Sequence, residues 1–261
     1  MLCLQSYSSS PSHYSCMSRK FKHPPLAEAL CEFRFELTDP FDPTLPGIIY
    51  SKLSGTYPIR KQRNMGFPNV KKETNETELV FGNLAQFRTE DDSMLIQVGG
   101  NMLSVNCVKD YPHWEKFKPR IMEALKIYLD EAKPISIIRI GVRCINKIFA
   151  KGDRIELSDH FKFLPVRPEN LKEIPYSAFN VHVEALCENN RDLIVMKNFT
   201  IVPEGDNQAG FMLDLEYAMN QPNGLAIDER TIDDWLEIAH QNLNNAFENS
   251  LTEEQLDKFD Q

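Results

Sequence analysis

No Cys-x-x-Cys pair occurs in this sequence, although it carries six cysteines: Cys3, Cys16, Cys31, Cys107, Cys144 and Cys187. That removes the usual spacing of structural zinc and dithiol redox sites. Cys31, Cys107, Cys144 and Cys187 fall inside expected strands among apolar neighbours, so they read as reduced core residues of a cytoplasmic protein. No apolar run approaches the length that spans a membrane, and no membrane attachment is expected. Met1 to Cys16 is Ser-rich and lacks the basic start and apolar stretch of a signal peptide. It reads as part of a disordered tail over residues 1–22, with Met17 offering a second start of translation.

Catalytic motifs are equally scarce. There is no phosphate-binding glycine loop, no Gly-x-Ser-x-Gly elbow and no His-Glu-x-x-His. Arg154 and His160 have the spacing of an Arg-x5-His ribonuclease pair, but they fall in a charged turn rather than on a helix. Positive charge is short as well. The net charge is −9 and the isoelectric point about 5.3, which argues against broad nucleic-acid binding. Basic residues cluster only at Arg60, Lys61, Arg63, Lys71 and Lys72, in a stretch without periodicity that reads as a mobile loop. Its sign contrasts with the acidic C-terminal region, and opposite ends of opposite charge favour self-association.

What the chain does have is core material and a pattern that recurs. Of its 261 residues 42% are hydrophobic, and sixteen phenylalanines suffice to anchor a sizeable core. Ala29 to Leu37 alternates, with Cys31, Phe33, Phe35 and Leu37 on one face and Glu32, Arg34 and Glu36 on the other. A short helix follows, with Asp42-Pro43 as its expected N-cap and first position and an apolar stripe of Leu45, Ile48, Ile49 and Leu53. Three strands come next, near 78–89, 93–99 and 102–108. A long helix then runs from His113 to about Ala132, carrying Trp114, Phe117, Ile121, Leu125 and Tyr128 on one face.

Ile135 to Phe149 opens a second round of the same order. Ser158 to Leu171 is a poor helix with two prolines. Strands near 178–187, 193–202 and 211–219 lead to a helix striped by Ile232, Trp235, Ala239, Leu243 and Phe247, with Thr231 and Asp234 resembling a capping box. The chain has only two tryptophans, and each is expected to begin one long helix. This order predicts an α+β fold of two tandem β-α-βββ-α modules, residues 23–134 and 135–261. They share a largely antiparallel sheet with the long helices packed on one face.

The polar face of that sheet is where function is sought. Arg34, Arg139, Arg143 and His182 are the candidate ligand-binding residues, because a guanidinium fork suits a carboxylate or phosphate. Glu32 and Glu36 share their face. A second reading places magnesium or manganese on Glu184, Asp214 and Glu216 with His182. The plain reading is a solvated surface of cross-strand ion pairs.

The segment His23-Pro24-Pro25-Leu26-Ala27-Glu28-Ala29-Leu30-Cys31-Glu32-Phe33-Arg34-Phe35 resembles the opening of a sporadically distributed, uncharacterised prokaryotic protein family, whose Pro-Pro-hydrophobic-x-Glu motif leads into a Cys-Glu-x-Arg strand. Gly141-Val142-Arg143-Cys144-Ile145-Asn146 resembles that family's Gly-x-Arg-x-Ile-Asn strand, with Cys144 where an aromatic is usual. The resemblance extends over nearly the whole chain from His23 and favours Met17 as the start. It brings no activity, so no catalytic residue transfers. Patchy distribution implies mobile loci, as in toxin–antitoxin or phage-defence systems. The expectation is therefore a non-catalytic binding or regulatory protein without a cofactor. It would hold a protein partner or a small anionic ligand on the polar face; the alternative is a metal-dependent enzyme using the carboxylates.

Overall fold

Leu26–Glu36 (β1) keeps the period-two pattern: Cys31, Phe33 and Phe35 are fully buried on one face, and Glu32 and Arg34 point to the other. In this computed structural model, which describes residues 19–38, 41–70, 77–152, 154–171, 174–187, 191–203 and 205–260, β1 lies at the middle of one nine-stranded antiparallel sheet. The chain continues through α1 (Leu45–Leu53), β2 (Ile59–Val70), β3 (Thr77–Arg88), β4 (Met94–Gly99) and β5 (Met102–Cys107). Then come α2 (Trp114–Ala132), β6 (Ser136–Lys151), β7 (Asn180–Leu186), β8 (Asp192–Ile201) and β9 (Gln208–Leu225). The described chain ends with α3 (Glu229–Ser250) and α4 (Glu253–Lys258). The sheet order is β2-β3-β4-β5-β1-β6-β9-β8-β7. The fold is α+β, and among the described residues it has four α-helices.

The long helices cover one face only. Phe35 stacks on Tyr128 of α2 at 4.5 Å between ring centroids, and Tyr217 of β9 meets Trp235 of α3 at 5.6 Å. Between these rings lie Ile140, Val142, Leu213 and Leu215, all buried. β1 and β6 pair over most of their length, with Cys31 opposite Val142 and Arg34 opposite Arg139, so one hydrophobic core runs under both halves. The boundary expected at residue 134 falls in the link between α2 and β6 and does not divide the sheet. Cys31 and Cys107 are buried and unbridged, and burial raises the Cys144 thiol to about 12, which keeps it an unreactive thiol.

Several elements differ from the sequence-based expectation. The mobile loop expected over Arg60 to Lys72 is, as far as Val70, strand β2, paired along its whole length with β3; Lys71 and Lys72 lie outside the described residues. Backbone ladder bonds hold β2, and those need no side-chain periodicity. α1 starts at Leu45, later than expected, because Asp42 accepts from the Thr44 N–H at 2.8 Å and forms a turn ahead of the helix. α3 starts at Glu229, one turn early, since Asp228 caps it through the Thr231 N–H at 2.9 Å. Trp114 does open α2, but Trp235 sits in the second turn of α3. Ser158 to Leu171 forms only two short 3-10 turns, Leu157–Asp159 and Glu169–Leu171.

The tail expected over residues 1–22 is corrected for residues 19–22. Arg19 reaches Asp257 and Asp260 at 2.6 Å each, and Phe21 packs edge-on against Phe247 and Phe259. The earlier part of that tail and the start at Met17 lie outside the described residues. The acidic C-terminal helix spends its charge inside the molecule, through Lys118 to Asp233 at 2.9 Å and Lys126 to Glu229 at 3.8 Å, which weakens the argument for charge-driven self-association.

One turn carries a pH signature. Asp91, between β3 and β4, accepts from the Thr89 hydroxyl at 2.6 Å and from the Ser93 N–H and hydroxyl at 3.0 and 2.8 Å. These bonds lower its pKa to about 2. The folded value lies below the unfolded one, so the stabilisation is complete above about pH 4 and is lost as the pH falls through about 2. An NMR titration of the Asp91 carboxyl carbon should show a midpoint near 2. A midpoint near 4 would mean that the turn is not clamped.

Candidate functional site

The face of the sheet turned away from the helices carries the charged residues, and strand register decides which of them meet. Leu30, Glu32 and Arg34 of β1 lie opposite Arg143, Gly141 and Arg139 of β6. Arg143 and Ile145 in turn lie opposite Glu216 and Asp214 of β9. Glu32 Oε1 accepts from Arg34 Nε at 2.8 Å and from Arg139 at 3.2 Å. Arg139 donates with its other terminal nitrogen to Glu216 Oε1. Arg143 clasps Asp214 with two parallel bonds of 2.7 and 2.6 Å. Asp214 is 4% exposed, so this bidentate pair is what keeps its charge tolerable in the sheet. The same bonds push the Arg143 guanidinium above its ordinary pKa, against the opposing pull of burial.

Gly141 makes room for the cluster. A Cβ there would stand 2.8 Å from both Arg139 Nη1 and Glu216 Oε1, closer than real Cβ contacts come. The Gly-x-Arg-x-Ile-Asn strand thus serves both faces: Gly141 and Arg143 shape the charged one, while Cys144 and Asn146 point toward the helices.

A second network, of amides and a hydroxyl ending on Glu28, adjoins it. Gln86 Nε2 donates to Gln97 at 2.9 Å, Gln97 Nε2 to Asn106 at 3.2 Å, and Asn106 Nδ2 to Glu28 at 2.7 Å. Ser104 also donates to Asn106 at 2.7 Å. Four strands are joined edge to edge in this way, and Gln86, Ser104 and Asn106 are buried although no helix covers them. Next to them the β2–β3 ribbon leaves the ladder and crosses above Gly99, where a Cβ would come 2.7 Å from the Asn83 carbonyl oxygen. Of the network residues only Glu28 stood out in the sequence, as the acidic end of the Pro-Pro-hydrophobic-x-Glu segment. Their period-two spacing was visible, but which strands would be neighbours was not.

The sequence-predicted residues are brought together in part. Arg34, Arg139 and Arg143 share one face of adjacent strands and meet Glu32, Asp214 and Glu216. Glu36 pairs with the Ser136 hydroxyl at 2.7 Å rather than with an arginine. His182 stands apart from the three arginines: it lies on the edge strand β7, opposite Lys197, which itself lies opposite Asp214, and its near partner is Glu184 at 3.2 Å. The residues of the metal reading, Glu184, Asp214 and Glu216, are also spread over two strands, β7 and β9, with β8 between them. Glu184 and Glu216 flank Val195 from either side, two strand spacings or about 10 Å apart. Asp214 and Glu216 are held by Arg143 and Arg139. Among the described residues no three His, Cys, Asp or Glu side chains stand where one cation could touch them all.

Arg34 is the exception to this pairing. Only its Nε is bonded, so its two terminal nitrogens have no partner among the described residues, and its side chain is 39% exposed. It stands beside Leu30 and Arg139 in a shallow depression floored by Glu32, Arg143 and Glu216. No helix of the described residues is long and apolar enough to cross a membrane. Comparison with protein-family models, curated proteins and solved structures gives no match to this chain.

Proposed function

We propose that this protein is a non-catalytic binding protein that holds an acidic segment of a protein partner on the uncovered face of its sheet. The observation that carries this reading is Arg34, whose planar fork is held in place through Nε while both terminal amino groups stay open to a carboxylate. Supporting it, the surrounding charges are already balanced, so the face offers one directional contact rather than a diffuse positive field. Leu186, half exposed on edge strand β7 and opposite Leu193, adds apolar area at its far side. Glu32, Asp214 and Glu216 are engaged by arginine, and Glu184 is two strand spacings from Glu216, which leaves no observation favouring the metal-dependent enzyme. An accessory role in a toxin–antitoxin or phage-defence locus is the setting that the family resemblance implies for such a binder.

The test is a selection of displayed random peptides on the folded protein. Enriched peptides should carry Asp or Glu at a shared position and bind Arg34→Ala at least tenfold more weakly, with the thermal midpoint of the variant almost unchanged. Enrichment without acidic residues, or binding indifferent to Arg34→Ala, would remove the proposal.

We also infer that the two halves are tandem β-α-βββ-α modules. The support is the sheet order: outward from β1 it runs β5, β4, β3, and outward from β6 it runs β9, β8, β7. In each half the strand next to the central one leads into a long helix, α2 or α3. β2 is then an addition to the first half, and the 3-10 turns stand where the second half would have its short helix.

A further inference from the structure

On the helix side of the sheet, the N-terminal segment before β1 crosses the gap between α2 and α3 and closes a pocket with a cavity volume of ≈ 140 Å³. That is about the size of a cavity that takes up one aromatic ring. Three ion pairs staple the segment down: Lys20 to Glu115 at 2.7 Å, and Arg19 to Asp257 and to Asp260. The floor is Leu215 of β9 with Cys144 and Asn146 of β6. One wall is Trp114, its ring stacked on His240 of α3 with centroids 4.4 Å apart and planes 4° from parallel.

The entrance of α2 is strained toward this pocket. His113 has φ 63° and ψ 161°, a combination that residues other than glycine almost never adopt, and it lines the cavity. Such strain persists where surrounding contacts demand it, and it concentrates at ligand sites.

The polar atoms around the pocket are uncharged and incompletely used. Asn146 Nδ2 donates to the Leu213 carbonyl at 3.1 Å, which leaves its Oδ1 without a donor among the described residues. Asn244 Nδ2 lies 3.1 Å from His240 Nε2, so that nitrogen accepts, and the other ring nitrogen carries the proton. Burial lowers the His240 pKa and so favours the neutral ring. The Tyr111 hydroxyl makes no hydrogen bond among the described residues. The charged groups at the rim are already spent: Lys20 on Glu115, Arg19 on two aspartates, and Glu248 on the Arg19 N–H at 3.1 Å.

Aromatic walls with mixed donors and acceptors but no free charge suit one ligand class. We infer that this pocket binds an uncharged, planar heteroaromatic molecule of nucleobase size, packed among Trp114, His240 and Tyr111, its edge hydrogen-bonded by Asn146 and Asn244. It lies on the opposite side of the sheet from the charged face and does not depend on the reading given for that face.

The two tryptophans allow a direct test. Trp235 does not line the pocket and bonds to Asp192, so Trp235→Phe leaves Trp114 as the single reporter. In that background adenine, hypoxanthine and uracil are titrated with excitation at 295 nm, with cyclohexanecarboxamide as the non-aromatic control. At least one heterocycle should quench Trp114 saturably, and the control should not. Asn244→Leu and His240→Phe, each checked for an intact thermal midpoint, should weaken that binding at least tenfold. Adenosine monophosphate should bind no tighter than adenine, because the rim cations are neutralised. Quenching that never saturates, saturation by the control alone, or binding unchanged in both variants would overturn the inference. Tenfold tighter binding of the monophosphate would overturn the uncharged character assigned to the ligand.

Discussion

Trp235→Ala should lower the stability of the protein by about 3–5 kcal/mol. The ring is 4% exposed and packs on Tyr217, while its Nε1 donates to Asp192 at 3.2 Å. Alanine would therefore remove the anchor of α3 and an internal hydrogen bond together. Urea unfolding should show the fall as a shift in midpoint with little change in slope. Trp235→Phe keeps most of the ring and loses the bond, so it should cost only about 1 kcal/mol. Trp114→Ala should cost less than Trp235→Ala, because one side of Trp114 borders the pocket. A loss below about 1 kcal/mol for Trp235→Ala would show that α3 is held by something else.

The second large effect belongs to Asp192. Its carboxylate is 1% exposed and accepts from the Tyr217 hydroxyl at 3.1 Å, from Trp235 Nε1, and from Arg191 through two bonds of 2.8 and 3.0 Å. Asp192→Ala would leave the Tyr217 and Trp235 donors buried without this acceptor and would remove the carboxylate that Arg191 clasps with two bonds. The expected loss is about 3–5 kcal/mol, a drop in Tm of about 6–20 °C for a chain of this size. Asp192→Asn keeps one acceptor oxygen and should lose clearly less. Equal losses for the two variants would mean that charge, and not the hydrogen bonds, holds the cluster. Because Asp192 and Trp235 touch, their losses should not add, and a double-mutant cycle should give a coupling on the order of 1 kcal/mol.

Asp192 also illustrates what the sequence left hidden. Beside Arg191 at the start of β8 it reads as part of a polar turn; its value depends on Trp235, on a helix 43 residues later. By contrast, the faces of β1 and β6 could be read directly, because alternation is a local property and each strand buries one side. The three arginines were therefore placed on the correct face. Their partners within that face depended on register between strands far apart in the chain, which no local pattern encodes. β2 was missed for a related reason: its hold on β3 is a backbone ladder, and its side chains show no alternation to betray it. The pocket was invisible for a third reason. Tyr111 and His113 lie in an irregular connection, and only the fold brings them to His240 and Asn146.

The place of β1 in the sheet bears on how the protein is made. Neither neighbour of β1 is its successor in the chain: β5 begins roughly sixty residues after β1 ends, and β6 comes later still. During synthesis at about 5–20 residues per second, Cys31, Phe33 and Phe35 therefore wait on the order of 3–13 s before a partner strand exists. Pairing over such separations is slow to nucleate, since loop closure must precede any gain from contact. A nascent chain stalled before β5 would expose an unpaired apolar strand from its first third. That places the greatest demand for chaperone protection early in translation, long before the last helix is made.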